Sequence, residues 1–136
     1  MKITPQFMLD TNICIYIQRH KPPSVLEQFE KLKPGQAVIS VITWGEMLYG
    51  AAKSQDPKRV LKLLEEFASL VPVLAMQPEC GKVYGQIRTD LEKRGQPIGN
   101  NDLWIAAHAM AAELPLVTNN TKEFERIPHL KVENWI

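Results

Sequence analysis

Three acidic residues, far apart in the sequence, occupy the same kind of position. Asp10 follows the apolar run Phe7-Met8-Leu9. Glu46 lies one turn into a helical pattern that follows the apolar run 37–42. Asp102 ends the turn-forming stretch Gln96-Pro97-Ile98-Gly99-Asn100-Asn101. Asn119 and Asn120 follow another apolar run, 114–118, at the same level. A charge placed where a buried strand meets a helix is costly unless something pairs with it. If the strands run parallel, these junctions collect at their carboxyl ends, where open α/β sheets bind ligands. Three carboxylates brought together unpaired repel and raise one another's pKa. A divalent cation relieves that repulsion, and an all-oxygen donor set suits a hard ion, Mg²⁺ or Mn²⁺, over zinc. Such an ion activates water and stabilises charge developing at phosphorus. Each acid alone also has an ordinary explanation. Asp10 and Asp102 fit helix-capping positions, and Glu46 fits a solvated helix face. One observable separates the readings: caps leave the three carboxylates far apart, whereas a metal site brings them together.

The elements that must carry these residues follow from hydrophobic period. Residues 7–9 read as a buried strand and 12–18 as a short helix. Pro23 opens a second helix with Val25, Leu26, Phe29 and Leu32 inward, ended by Pro34-Gly35. Residues 37–42 read as the second strand. From Thr43 the period changes, and Trp44, Met47, Leu48, Ala51 and Ala52 form one helical stripe. Glu46 then lies about 200° round the wheel from Trp44, with Thr43 and Gly50 beside it. Asp56-Pro57 caps and starts a helix, and Pro78 starts another, with Gly95 just past its end. Residues 71–74 read as a short strand carrying Pro72, which predicts an edge position or a strand start. Residues 103–114 read as a buried helix, capped by Asn100 or Asn101, with Asp102 in its first turn. Residues 114–118 and 130–133 complete the strands, a short helix through Phe124 lies between them, and Trp135 anchors the end. Strands alternating with helices give a parallel α/β sheet with right-handed connections.

At 136 residues and 45% apolar content, the chain is expected to form one domain, 1–136, with a full core. No apolar run approaches the roughly 18 residues of a membrane span, and no signal-peptide pattern opens the sequence, so a cytoplasmic location is expected. Cys14 and Cys80 form no CxxC pair, and His20, His108 and His129 have no metal-ligand spacing. His108 reads as a satisfied core histidine. Phosphate-binding loops of the GxxxxGK[ST] and GxGxxG types and a GxSxG elbow are absent from the sequence. A net charge of +1 decides nothing about nucleic acid, because an acidic site offsets basic surface. Arg19, Lys21, Lys53, Lys58, Arg59, Arg88, Lys93 and Arg94 are available for phosphates, and only co-location around the acids would single any out.

Four segments, taken in order, resemble the motifs of PIN-domain ribonucleases. They are Met8-Leu9-Asp10-Thr11-Asn12, then Ser40-Val41-Ile42-Thr43-Trp44-Gly45-Glu46-Met47. After these come Ile98-Gly99-Asn100-Asn101-Asp102-Leu103-Trp104-Ile105-Ala106-Ala107-His108-Ala109, and Leu116-Val117-Thr118-Asn119-Asn120-Thr121-Lys122-Glu123-Phe124. Over about Phe7 to Trp135 the pattern is similar to the VapC toxins of bacterial type II toxin–antitoxin pairs. Each motif alone is common; the four in order are specific. The resemblance implies a PIN-like three-layer α/β/α sandwich with a central parallel sheet of about five strands. It implies Mg²⁺-dependent hydrolysis of phosphodiester bonds in structured RNA, with Mn²⁺ able to substitute. A tRNA anticodon loop is the first choice of substrate and a ribosomal RNA loop the second, translation being inhibited in either case. By the same resemblance Asp10, Glu46 and Asp102 are the catalytic, metal-holding acids, with Thr11, Asn12, Thr43, Asn119 and Asn120 in support. Many relatives place another acid after the fourth strand. Here Asn120 stands there, which leaves one ion or two open, and Glu123 is either a replacement acid or a solvated helix residue. The family implies a homodimer and a VapB-like antitoxin, with larger toxin–antitoxin assemblies, and a groove to which Trp44, Met47, Leu48 and Tyr49 are candidates, core packing being the ordinary explanation for most of them. The alternative is a weakly or non-catalytic nucleic-acid-binding module that acts mainly with its antitoxin.

Overall fold

The computed structural model describes residues 3–136, and five short strands make its frame. These are β1 (Phe7–Leu9), β2 (Ala37–Ser40), β3 (Val73–Leu74), β4 (Leu116–Val117) and β5 (Val132–Glu133). All neighbours pair in parallel, in the order β3-β2-β1-β4-β5. The chain builds outward from β1 to β3, then returns to the other side of β1 for β4 and β5. The order therefore reverses between β1 and β4, which places the ligand crevice at their carboxyl ends. Register fixes that crevice: Met8 pairs with Leu116 and Leu9 with Val117, so Asp10 and Thr118 come next on adjacent strands.

Side chains alternate across this sheet, as strand geometry requires. Leu9, Ile39 and Val117 enter one core, and Met8, Val38 and Leu116 enter the other. The first core is covered by α1 (Thr11–Arg19), α2 (Pro23–Glu30), α3 (Val41–Ala52) and α4 (Pro57–Leu70). The second is covered by α5 (Pro78–Lys93), α6 (Asn100–Ala111) and α7 (Thr121–Phe124). The result is the expected three-layer sandwich. Trp135 closes the first core, meeting the edge of Phe7 with ring centroids 5.5 Å apart.

Several expectations shift in detail. Val41 and Ile42 are not strand residues but begin α3, because Ser40 Oγ accepts the Ile42 N–H at 3.1 Å and caps the helix there. The β-branched run favours a strand locally, and the cap overrides it. Two strands are shorter than their apolar runs, with β4 confined to Leu116–Val117 and β3, at the sheet edge, to Val73–Leu74. Gly95 does end α5, with φ +66° and the Gln96 N–H bonded to the Leu91 carbonyl at 2.9 Å. Neither Asn100 nor Asn101 caps α6. Gly99 holds the cap position without a side-chain bond, while Asn100 accepts from the Tyr84 hydroxyl. His108 is buried as expected and Nδ1 meets Ser40 Oγ; among the described residues Nε2 has no partner in good geometry, with the Ala75 backbone as a weaker contact of the ring. Among the described residues no helix is long and apolar enough to cross a membrane.

Candidate active site

Asp10 is the most enclosed of the acids, 5% exposed at the end of β1. Its Oδ1 accepts the Ile13 N–H at 2.9 Å, so it caps α1. Its Oδ2 accepts the Thr118 hydroxyl from the end of β4. Burial pushes its carboxyl above the ordinary range, those two bonds oppose the rise, and the charge of Glu46 adds to it. The cap reading of Asp10 is correct, yet it accounts for only one of its two oxygens.

Glu46 projects from the second turn of α3. Its Oε1 accepts the Thr11 hydroxyl at 2.7 Å, and the buried Thr43 hydroxyl lies 3.3 Å from Thr11 Oγ1. Thr11 thus ties the start of α1 to the acid of α3, and Thr43 backs it from the core side. Asp102 stands in the first turn of α6, half-buried, and no described residue hydrogen-bonds its carboxylate. Burial first, then the charges of Glu123, Asp10 and Glu46, push it up to about 6. The first-turn position favours the ionised form through the helix dipole, and burial with three like charges outweighs that preference.

The structure therefore brings Asp10, Glu46 and Asp102 within reach of one another's charge, and adds Glu123 from α7. Glu123 is half-buried and held by Asn120, whose Nδ2 donates to its Oε2 at 3.1 Å. Asn120 supports the acid that follows it. Asn119 turns the other way and donates to the Tyr16 hydroxyl at 3.3 Å. Asn12 is exposed, and its contribution is a backbone N–H toward Asp10. Thr118 is a site residue that sequence reasoning missed. It is fully buried, donates to Asp10 and accepts the Asn120 N–H at 2.9 Å, linking the two central strand ends to the segment that carries Glu123. Its only signal in the sequence was a hydroxyl at the end of the expected fourth strand.

The donor chemistry of this pocket fits a hard divalent cation: four carboxylates, no sulfur or imidazole among them, and two of them held up in pKa by burial and like charge. Among the described residues, no three Asp, Glu, His or Cys side chains are drawn together into a ready coordination sphere. The acids share a field without sharing a close contact. Cys14, buried near Asp10, has its thiol pushed well above the ordinary range by burial and then by that charge, which removes it as a nucleophile.

A groove of about 370 Å³ leads away from Glu46 and Thr11, lined by Ile15, Arg19, Met47 and Leu63 among others. Of the four expected groove residues only Met47 lines it. Trp44 and Leu48 pack on the first core, and Tyr49 is 67% exposed with Lys53 over its ring. Of the expected cations, Arg19 lines this groove together with Glu46. Arg88 and Arg94 are instead engaged by Glu92 and Asp90.

Residues 7–130 match the family described as the PIN domain. A tRNA(fMet)-specific endonuclease VapC from Shigella flexneri is 47% identical over 130 residues, covering 96% of this chain and 98% of the relative. Ribonuclease VapC2 from Haemophilus influenzae is 43% identical over 131 residues, covering 96% and 98%. Among solved structures, VapBC2 from Rickettsia felis bound to a promoter DNA fragment superposes with a TM-score of 0.89 at 42% identity, covering 98% of this chain and 100% of that one. DNA-bound VapBC from Salmonella typhimurium gives 0.90 at 42%, covering 97% and 99%.

Proposed function

The chain belongs to the PIN-domain family, as a ribonuclease toxin of the VapC type that pairs with a VapB antitoxin, and we propose that it hydrolyses tRNA at its acidic pocket with Mg²⁺ bound. The observation that carries this reading is the convergence of Asp10, Glu46 and Asp102 at the carboxyl ends of β1 and the adjoining elements, each acid within the others' field. Asp10 and Asp102 would hold the cation, with Glu46 as a further ligand or as the group that orients the attacking water, and Mn²⁺ is a suitable substitute. When bound, the ion supplies charge neutralisation at the phosphate and an acidified water.

The chain's own residues do the rest. Thr118 and the Ile13 N–H hold Asp10 rigid. Thr11 aims Glu46. Glu123, steadied by Asn120, supplies the negative charge that Asn120 itself lacks, so the pocket reaches four acids by a different residue. A relative named for tRNA(fMet) makes that tRNA the first substrate to test. The expected result is discrete 3′ and 5′ fragments with Mg²⁺, abolished by chelator and by Asp10→Asn. Uniform degradation, or cutting that ignores chelator, would sink the reading; tight RNA binding without cutting would favour a non-catalytic module.

The groove beside Glu46 is the seat proposed for the antitoxin, a short apolar segment lying over Ile15, Met47 and Leu63. A homodimer and a cytoplasmic location belong to the same reading. Light scattering of the purified chain checks the first, and fractionation of expressing cells the second.

A further inference from the structure

His108 lies on α6, six residues beyond Asp102, and is 1% exposed. Its Nδ1 is 2.9 Å from the Oγ of Ser40, which is fully buried and ends β2. Ser40 Oγ already accepts the Ile42 N–H as the cap of α3. The imidazole therefore grips the residue that starts the helix carrying Thr43 and Glu46. Among the described residues its Nε2 has no partner in good hydrogen-bond geometry, the Ala75 backbone making only a weaker contact with the ring, a cost that an apolar side chain of similar size would avoid. Burial disfavours the protonated ring, which suits a fixed contact better than proton transfer.

Glu46 and Asp102 do not bond each other. Glu46 takes its hydrogen bond from Thr11, and α6 has no side-chain cap. Among the described residues, the His108–Ser40 contact is the one side-chain hydrogen bond between α6 and the start of α3. We propose that His108 is a positioning residue: through Ser40 it fixes the first turn of α3 against α6 and so sets Glu46 relative to Asp102. The proposal rests on the acidic pocket being the active site. Displacements of about 1 Å at such a site cost on the order of a hundredfold in rate.

The test compares His108→Asn, His108→Gln and His108→Leu. An Asn amide reaches the position of Nδ1 and a Gln amide that of Nε2. With tRNA and Mg²⁺, H108N is expected to keep kcat within about threefold, whereas H108Q and H108L lose roughly tenfold or more in kcat with KM little changed. Amide exchange over residues 42–46 should quicken in H108Q and H108L and stay slow in H108N. Full activity in H108L, unchanged exchange in α3, or losses that follow Tm alone across the three variants would overturn the proposal. Should H108L fail to fold, Ser40→Ala carries the test: kcat falls, and adding H108N to it changes nothing further, whereas a further loss overturns the proposal. The exchange measurement needs no RNA. A chain that cut no RNA would refute the functional reading, and exchange alone would then decide the His108 proposal.

Discussion

Asp10 and Asp102 face the same pocket from opposite physical situations. Asp10 is nearly sealed and both its oxygens are engaged, one by a helix end and one by Thr118. Asp102 is half open, receives no hydrogen bond from the described residues, and is pushed up to about 6 by burial and three neighbouring charges. The first acid is part of the scaffold and would keep its place with or without chemistry to do. The second is held by little except its backbone, and its ionised form is a burden on the fold. A negative pocket can thus be built from one carboxylate that the structure uses and another that the structure merely tolerates.

The sharpest way to break this comparison is to remove each acid in two ways. Both Asp10→Asn and Asp102→Asn are expected to lower cleavage by about a thousandfold, the upper end for losing one electrostatic group at a reacting centre. Their stabilities should part. Asp10→Ala should be about 1 kcal/mol less stable than Asp10→Asn, because Asn still caps α1 and Ala does not. Asp102→Ala and Asp102→Asn should have the same urea midpoint. A cap-like difference at 102, or none at 10, contradicts the contrast.

Next in size is Thr118→Val, expected to cost roughly tenfold in kcat through Asp10, with Thr118→Ser restoring it. Equal activity of the Val variant would show that Asp10 needs no such clamp.

Smaller still is a stability effect at Asp102. Its carboxyl is raised from an ordinary 3.8 to about 6, so the folded chain holds that proton more tightly than the unfolded one. The contribution favours folding below about pH 4 and is lost as pH rises through about 6. At pH 7 Asp102→Asn should therefore raise Tm by a few degrees, a gain limited by the group's partial exposure, and below about pH 4 the gain should vanish. A fall in Tm at pH 7 would reverse the assignment.

The smallest expected effect is at Glu123. Its charge is the largest of the three acting on Asp102, so Glu123→Gln should move the acid limb of the pH–rate profile to lower pH. A limb that stays in place would remove Glu123 from the pocket.

Legibility divides along similar lines. Asp10 stood out because a buried apolar run stops at a charge, and both its helix and its strand were plain in the sequence. Asp102 was visible through the turn formers before it, although the cap fell to Gly99 rather than to either asparagine. Thr118 was not visible as a site residue, because what defines it is a partner 108 positions away, and only the β1–β4 register brings the two together. Glu123 was ambiguous because four helical residues give no periodicity from which to read a face. The start of α3 was misplaced because Val41 and Ile42 look like strand, and one hydroxyl at Ser40 decides otherwise. The groove was legible only in part, because an apolar stripe on one helix does not say which of its members a neighbouring helix covers; Trp44 and Leu48 serve the core, and Met47 lines the groove.

The parallel pairing of β1 with β4 also sets a schedule. The central strand is made early, and it borders a strand whose residues come more than a hundred positions later. Synthesis proceeds at about 5–20 residues per second and folds what it can as the chain emerges. A nascent chain shorter than 118 residues has Asp10 but not the hydroxyl that clamps it, and it lacks Glu123 as well. The pocket therefore cannot close until Thr118 and Glu123 have been made, so a nascent chain that stops short of them cannot assemble it.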